Sequence, residues 1–186
     1  MNTVHSDALK TRDLTYVAVF AVLMAVCAWV SVPVPAPLVQ FTMQTFGVYA
    51  ALLILGGRRG TFAVTAYLLL GAVGAPVFSG FRGGLGVLLG TTGGYILGFF
   101  FQALLYWLVT AKLGTSLTVK TAACVAGTAV LYAFGTAWYL TLYAQTGSPV
   151  GLMTALGYCV FPFILPDMLK LALALALEHR IGKYVR

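Results

Sequence analysis

From Leu14 onward the chain is a succession of apolar runs, each broken by proline or glycine and nearly free of charge. No other feature constrains the fold as much. A run of roughly 17–25 apolar residues is what an α-helix needs to cross the hydrocarbon core of a bilayer. Within lipid, every backbone N–H and C=O must find its partner inside the chain. The runs predict membrane spans at about 14–32, 39–55, 61–73, 93–111, 121–143 and 166–183. Pro33, Pro35 and Pro37 end the first, because proline cannot continue a helix. Gly56, Gly57, Arg58, Arg59 and Gly60 end the second. The third is short and needs completion by its neighbours. A further apolar piece, about 152–161, need not cross. The sixth span is expected to open at Pro166, since proline is favoured as a first helical residue; at 1.5 Å per residue its reach is roughly 27 Å.

Composition agrees. Of 186 residues, 61% are hydrophobic and 8% are charged, against about 25% charged in a typical soluble domain. The chain is therefore expected to be an all-α integral membrane protein of one domain, 1–186, with no room for a soluble catalytic domain. The net charge of +7 does not indicate nucleic acid, because the basic residues are spread along the chain rather than gathered in a patch. They fit a membrane topology instead. With a cytoplasmic N-terminal tail (1–13), Lys10, Arg12, Arg58, Arg59, Lys112, Lys120, Arg180, Lys183 and Arg186 fall inside, Arg82 alone falls outside, and Lys170 lies within a span. This positive-inside bias predicts six transmembrane helices with both termini cytoplasmic. The first apolar run is long enough to span, so no cleaved signal peptide is expected. Cys27, Cys124 and Cys159 have no metal-ligand spacing, so neither a metal nor a disulfide is indicated.

Three features stand out. Asp7, Asp13 and Glu178 lie near the tails, where solvation accounts for them, but Asp167 is flanked by apolar sequence and stands three residues before Lys170. Charges in a membrane segment are costly and are usually functional; at this spacing they share a helix face, and an Asp in the first turn would be favoured by the helix dipole. Either the two form a structural pair with Lys170 snorkelling outward, or they form a ligand site at the outer end of the last span. Second, Gly74, Gly80, Gly83, Gly84, Gly86 and Gly90 crowd a predicted extracellular loop that also holds Phe78, Ser79, Phe81 and Arg82. No strand precedes it as a phosphate cradle would require, so a lid or a close-packed re-entrant segment is the better reading, with a plain connecting loop as the alternative. Third, Ala18, Ala21, Ala25 and Ala28 form a small-residue stripe on the first helix. Such stripes let membrane helices approach closely, either inside the protein or at a partner's surface.

Phe41-Thr42-Met43-Gln44-Thr45-Phe46-Gly47 resembles the F-T-x-Q-T-x-G stretch of the BioY family. Gly71 to Phe78, Gly83 to Tyr95, and Pro166-Asp167-Met168-Leu169-Lys170 resemble further stretches of that family in the same order. BioY proteins are the biotin-binding S components of energy-coupling factor (ECF) vitamin transporters. The resemblance implies six membrane helices around an outward-facing pocket closed by extracellular loops. It implies that Asp167 and Lys170 contact biotin, with Gln44, Tyr95 and the lid residues Phe78, Ser79 and Arg82 around it. Ser79 to Arg82 stand where some members carry an Asn. The resemblance further implies a bacterial cytoplasmic membrane as the location, with lipid around the chain. The partners it implies are a transmembrane T component docked on the Ala18, Ala21, Ala25 and Ala28 face, and ATP-binding-cassette ATPases.

The residues themselves contain no G-x-x-x-x-G-K-[ST] motif and no Ser/His/Asp or Cys/His set; His5 and His179 lie near the tails. An enzyme is not expected, nor a cofactor, and energy for uptake would have to come from partners. An S component for another vitamin is the nearest alternative. A small intramembrane enzyme using Asp167 and Lys170, or an ion-coupled carrier, has thinner provision, since no second buried acidic group is expected in the spans.

Overall fold

The computed structural model describes residues 11–32, 40–147 and 149–185. The proline turn at 33–37, the predicted start of the second span at Val39, and the tail charges Asp7, Lys10 and Arg186 lie outside them.

Helix α1, Thr11–Trp29, is followed by β1, Ser31–Val32, which pairs antiparallel with β2, Phe41–Thr42. This two-stranded clip is closed by Met43 N donating to Val30 O at 2.9 Å. Then come α2 (Gln44–Leu55), α3 (Gly57–Ala72), the one-turn α4 (Leu85–Leu88), α5 (Gly93–Leu113), α6 (Leu117–Gln145), α7 (Leu152–Cys159) and α8 (Phe161–Val185). Four stretches are long and apolar enough to cross a membrane: α1, α5, α6 and the α7–α8 run. At 12 and 16 residues, α2 and α3 reach only about 18 and 24 Å.

Helix α2 has no solvent- or lipid-facing side: every residue except Phe46 is buried. A helix that is apolar all round belongs in an interior, and α2 is packed among α1, α3 and α8. The most extensive pairing elsewhere is α5 with α6. In lipid this packing is driven by van der Waals contact rather than by exclusion of water.

The last span begins at Phe161, not at Pro166, which lies inside α8. Proline has no N–H, so the carbonyl of Pro162 loses its helical partner there; neighbouring helices make that tolerable in a membrane protein. The break between α7 and α8 falls at Val160, with φ −125° and ψ −60°, as the sequence anticipated for a separate short segment.

Two ion pairs tie the end of the bundle where α1 begins and α8 finishes. Arg59 of α3 meets Asp13 of α1 at 3.1 Å, and Lys120 of α6 meets Glu178 of α8 at 2.9 Å. Asp13 and Lys120 are both buried. The reading of Asp13 and Glu178 as solvated tail charges is therefore corrected: each joins two helices.

Candidate functional site

At the opposite end of the bundle, α8 carries Phe163, Asp167 and Lys170 on one face, one turn apart each. Lys170 Nζ donates to Asp167 Oδ1 at 2.8 Å and to the carbonyl of Thr42 at 2.7 Å. It also lies 4.5 Å from the centre of the Phe41 ring, which stacks on Phe163. Tyr132 of α6 donates to Asp167 Oδ2 at 2.6 Å. Both charged side chains are nearly sealed, at 3% and 5% exposure. Lys170 thus turns inward and does not snorkel. Asp167 sits beyond the first turn of α8, so its partners are Tyr132 and Lys170 rather than the free N–H groups of a helix start.

The pair is held but not saturated. An ammonium has three N–H donors and a carboxylate about four acceptor positions. Lys170 spends two donors and Asp167 two acceptor positions within the described residues. Both residues line a cavity enclosing about 660 Å³ of atom-free space, open mouth included, together with residues of β2, α2, α5, α6, α7 and the 73–92 loop.

All seven residues expected at a ligand site line this one cavity: Gln44, Phe78, Ser79, Arg82, Tyr95, Asp167 and Lys170. Gln44 opens α2, and its Nε2 donates to Tyr67 OH at 2.6 Å; that hydroxyl donates on to Val77 O at 3.1 Å. Tyr95 presents its ring, because its hydroxyl is engaged with Thr136 of α6 at 2.9 Å. The ring fits only because residue 135 is glycine: a Cβ there would lie 2.3 Å from a Tyr95 ring carbon.

The glycine-rich loop is folded rather than slack. Phe78 N donates to Arg82 O at 2.9 Å, forming an isolated bridge. The Phe78 ring is fully buried edge-on to Tyr67, in space that a Cβ on Gly71 would fill. Phe81 is turned the other way with φ +56°, a left-handed conformation that costs a non-glycine residue about 1–2 kcal/mol. There it stacks on Trp29 at 4.9 Å, and the Trp29 indole also donates to Pro76 O at 2.9 Å. The end of α1 therefore grips the loop at two points. Ser79 Oγ donates to Gln40 Oε1 at 2.7 Å, and Arg82 reaches the same oxygen at 3.4 Å.

Sequence reasoning missed Gln40, Thr42, Leu131, Tyr132 and Phe163 at this site. Tyr132 carried a signal: it is a polar aromatic within an apolar span, three residues before Gly135. Thr42 acts through its backbone, which no side-chain motif reveals.

The alanine stripe resolves differently. Ala21, Ala25 and Ala28 are buried inside the chain, at 1%, 4% and 0% exposure. There α1 packs on α2 and α3, with Gly47 against Met24 and Cys27. Only Ala18 is exposed, beside Leu14, Val19, Val22 and Val26. For three of the four alanines, the reading as a partner face gives way to internal packing.

The chain matches the family described as the BioY family over residues 1–186. It is 38% identical to the "Biotin transporter BioY" of Thermotoga maritima, covering 92% of this chain and 96% of that protein. It is 36% identical to the "Probable biotin transporter BioY" of Pyrococcus horikoshii, covering 93% and 98%. Among solved structures, a chain described as the S-component for biotin from an ECF-type ABC transporter superposes with a TM-score of 0.81 at 27% identity, covering 95% of each chain.

Proposed function

The chain belongs to the BioY family, and from that premise we propose that it binds biotin and brings it across the bacterial cytoplasmic membrane as the substrate-specific S component of an ECF transporter. The observation that carries this reading is the sealed Asp167–Lys170 pair with donors and acceptors left over. A ureido group has one strong acceptor oxygen flanked by two N–H donors. The spare N–H of Lys170 matches the oxygen, and the spare lone pairs of Asp167 match an N–H. Phe78, Ile96, Phe99, Leu131 and Phe163 on the cavity wall suit the thioether ring and the methylene tail, in the usual proportion of apolar lining to a few orienting polar groups.

Six membrane-embedded helices, α1, α2, α3, α5, α6 and α8, with both termini cytoplasmic, are part of the same proposal. The distribution of basic residues supports it: Arg12, Arg58, Arg59, Lys112, Lys120, Arg180 and Lys183 all belong to the ends or turns remote from the cavity. The cavity then opens outward. Uptake needs energy that this chain has no nucleotide motif to harvest, so a T component and ATP-binding-cassette ATPases would supply it. The exposed strip of Ala18 and Val22 on α1 is the docking face we assign to the T component.

The test is direct binding. Purified protein in lipid nanodiscs should take up labelled biotin saturably, and excess thiamine or riboflavin should not displace it. Absence of saturable biotin uptake, with labelled thiamine or riboflavin bound instead, would transfer the chain to a different specificity.

A further inference from the structure

Charge along the cavity wall is unevenly placed. Three charged side chains line it: Asp167, Lys170 and Arg82. Asp167 and Lys170 are buried and neutralise each other at 2.8 Å. Arg82 is exposed and forms no ion pair among the described residues. Its Nε donates to Ser79 O at 3.2 Å and its Nη2 to Gln40 Oε1 at 3.4 Å, both neutral acceptors. A guanidinium has five N–H donors, so three remain. The other ionisable wall residues, Tyr95, Tyr132 and Cys159, are neutral in their ordinary state at pH 7.

The backbone fixes where this cation stands. Arg82 O is bonded to Phe78 N, and Phe78 is fully buried, so the arginine is pinned to the inner layer of the loop while its side chain reaches the mouth. Gln40, which meets the arginine, and Thr42, whose carbonyl holds Lys170, are two residues apart on extended chain, about 6–7 Å. The cavity thus has a deep end that is polar but neutral and a mouth with one uncompensated positive charge.

We propose that Arg82 receives the free carboxylate of the ligand, so that the ligand lies with its ureido head at Asp167 and Lys170 and its acid at the mouth. This deepens the biotin reading and rests on it. Arg82 becomes the residue by which the pocket separates the free acid from its esters and amides, including biotin already joined to a protein through its carboxyl.

The experiment compares biotin with biotin methyl ester, which has the same head and ring and no charge. Affinities are measured by calorimetry on wild type, Arg82→Gln and Arg82→Lys, at 50 mM and 500 mM salt. Wild type should prefer biotin about tenfold at low salt, the equivalent of one good charge-assisted contact at an exposed position. Arg82→Gln should bring the ratio close to one, and Arg82→Lys should restore part of it. High salt should narrow the preference in wild type and leave Arg82→Gln unmoved. A ratio that is the same in wild type and Arg82→Gln overturns the assignment while leaving biotin as the ligand. Equal weakening of both ligands by Arg82→Gln also overturns it, because the arginine would then be supporting the loop alone. Failure of wild type to bind either ligand overturns the assignment together with the biotin reading.

Discussion

Tyr132 of α6 and Asp167 of α8 are joined by a 2.6 Å hydrogen bond that fixes the carboxylate at the floor of the cavity from a second helix. A short O–H···O⁻ bond is among the stronger contacts a protein makes. Removing it with Tyr132→Phe leaves Asp167 tethered by Lys170 alone. We expect biotin affinity to fall roughly five- to thirtyfold, from a bond worth about 1–2 kcal/mol, with the fold intact. Calorimetry in detergent measures it; unchanged affinity would make the hydroxyl a bystander.

Asp167→Asn and Lys170→Ala should each weaken biotin binding by at least one to two decades, and both should lower stability. Truncating one partner of a buried pair leaves the other charge uncompensated, at about 3–5 kcal/mol. The double variant Asp167→Asn with Lys170→Met should regain thermal stability while staying unable to bind. Recovery of binding in the double variant would show that the pair serves the fold only.

The first helix now yields a contrast between two of its alanines. Ala25 is buried at 4% exposure, and overpacking a full core costs about 1–3 kcal/mol or more. Ala25→Trp should therefore lower the melting temperature and reduce binding. Ala18 is exposed, and Ala18→Trp should leave stability and biotin binding alone while reducing uptake by the assembled transporter. Normal uptake by Ala18→Trp would remove this face from the docking site.

Much of this was legible in the chain, for separable reasons. The apolar runs located α1, α5 and α6 to within a few residues because lipid demands a fixed helical length. The start of α8 was misplaced because Pro166 reads locally as a helix opener, whereas tertiary contacts carry the helix back to Phe161. The site charges Asp167 and Lys170 were conspicuous by cost alone. The stripe Ala21, Ala25 and Ala28 was visible too, but spacing cannot say whether a close approach is made to the chain's own helices or to another protein. Asp13–Arg59 and Lys120–Glu178 pair residues 46 and 58 apart, and nothing local announces either.

The Lys120–Glu178 pair gives its own test. Lys120→Met alone should destabilise by an amount approaching the lower end of the buried-pair range, about 3 kcal/mol, because the Glu178 carboxylate, 12% exposed, loses its ammonium partner at 2.9 Å. Adding Glu178→Gln should recover most of it. Chemical denaturation in mixed micelles would follow both.

Topology can be read by labelling. The three native cysteines are buried, so background is low. Thr146→Cys, in the exposed turn after α6, should react with an impermeant maleimide added outside intact cells. Thr115→Cys, in the exposed turn before it, should react only after lysis. The reverse pattern would invert the chain in the membrane.

The bond from Lys170 to the carbonyl of Thr42 joins positions 128 residues apart, and α2 is enclosed by helices made both before and after it. A ribosome delivers α2 early, yet α2 is too short to cross the bilayer comfortably, and its neighbour α8 is translated more than a hundred residues later. Until α8 leaves the insertion machinery, one flank of α2 has no permanent neighbour and the cavity has no floor. Vitamin capture is thus a property of the released chain and not of any nascent one. Truncation within α8 before Asp167 removes the ligand site and uncovers the central helix in the same stroke.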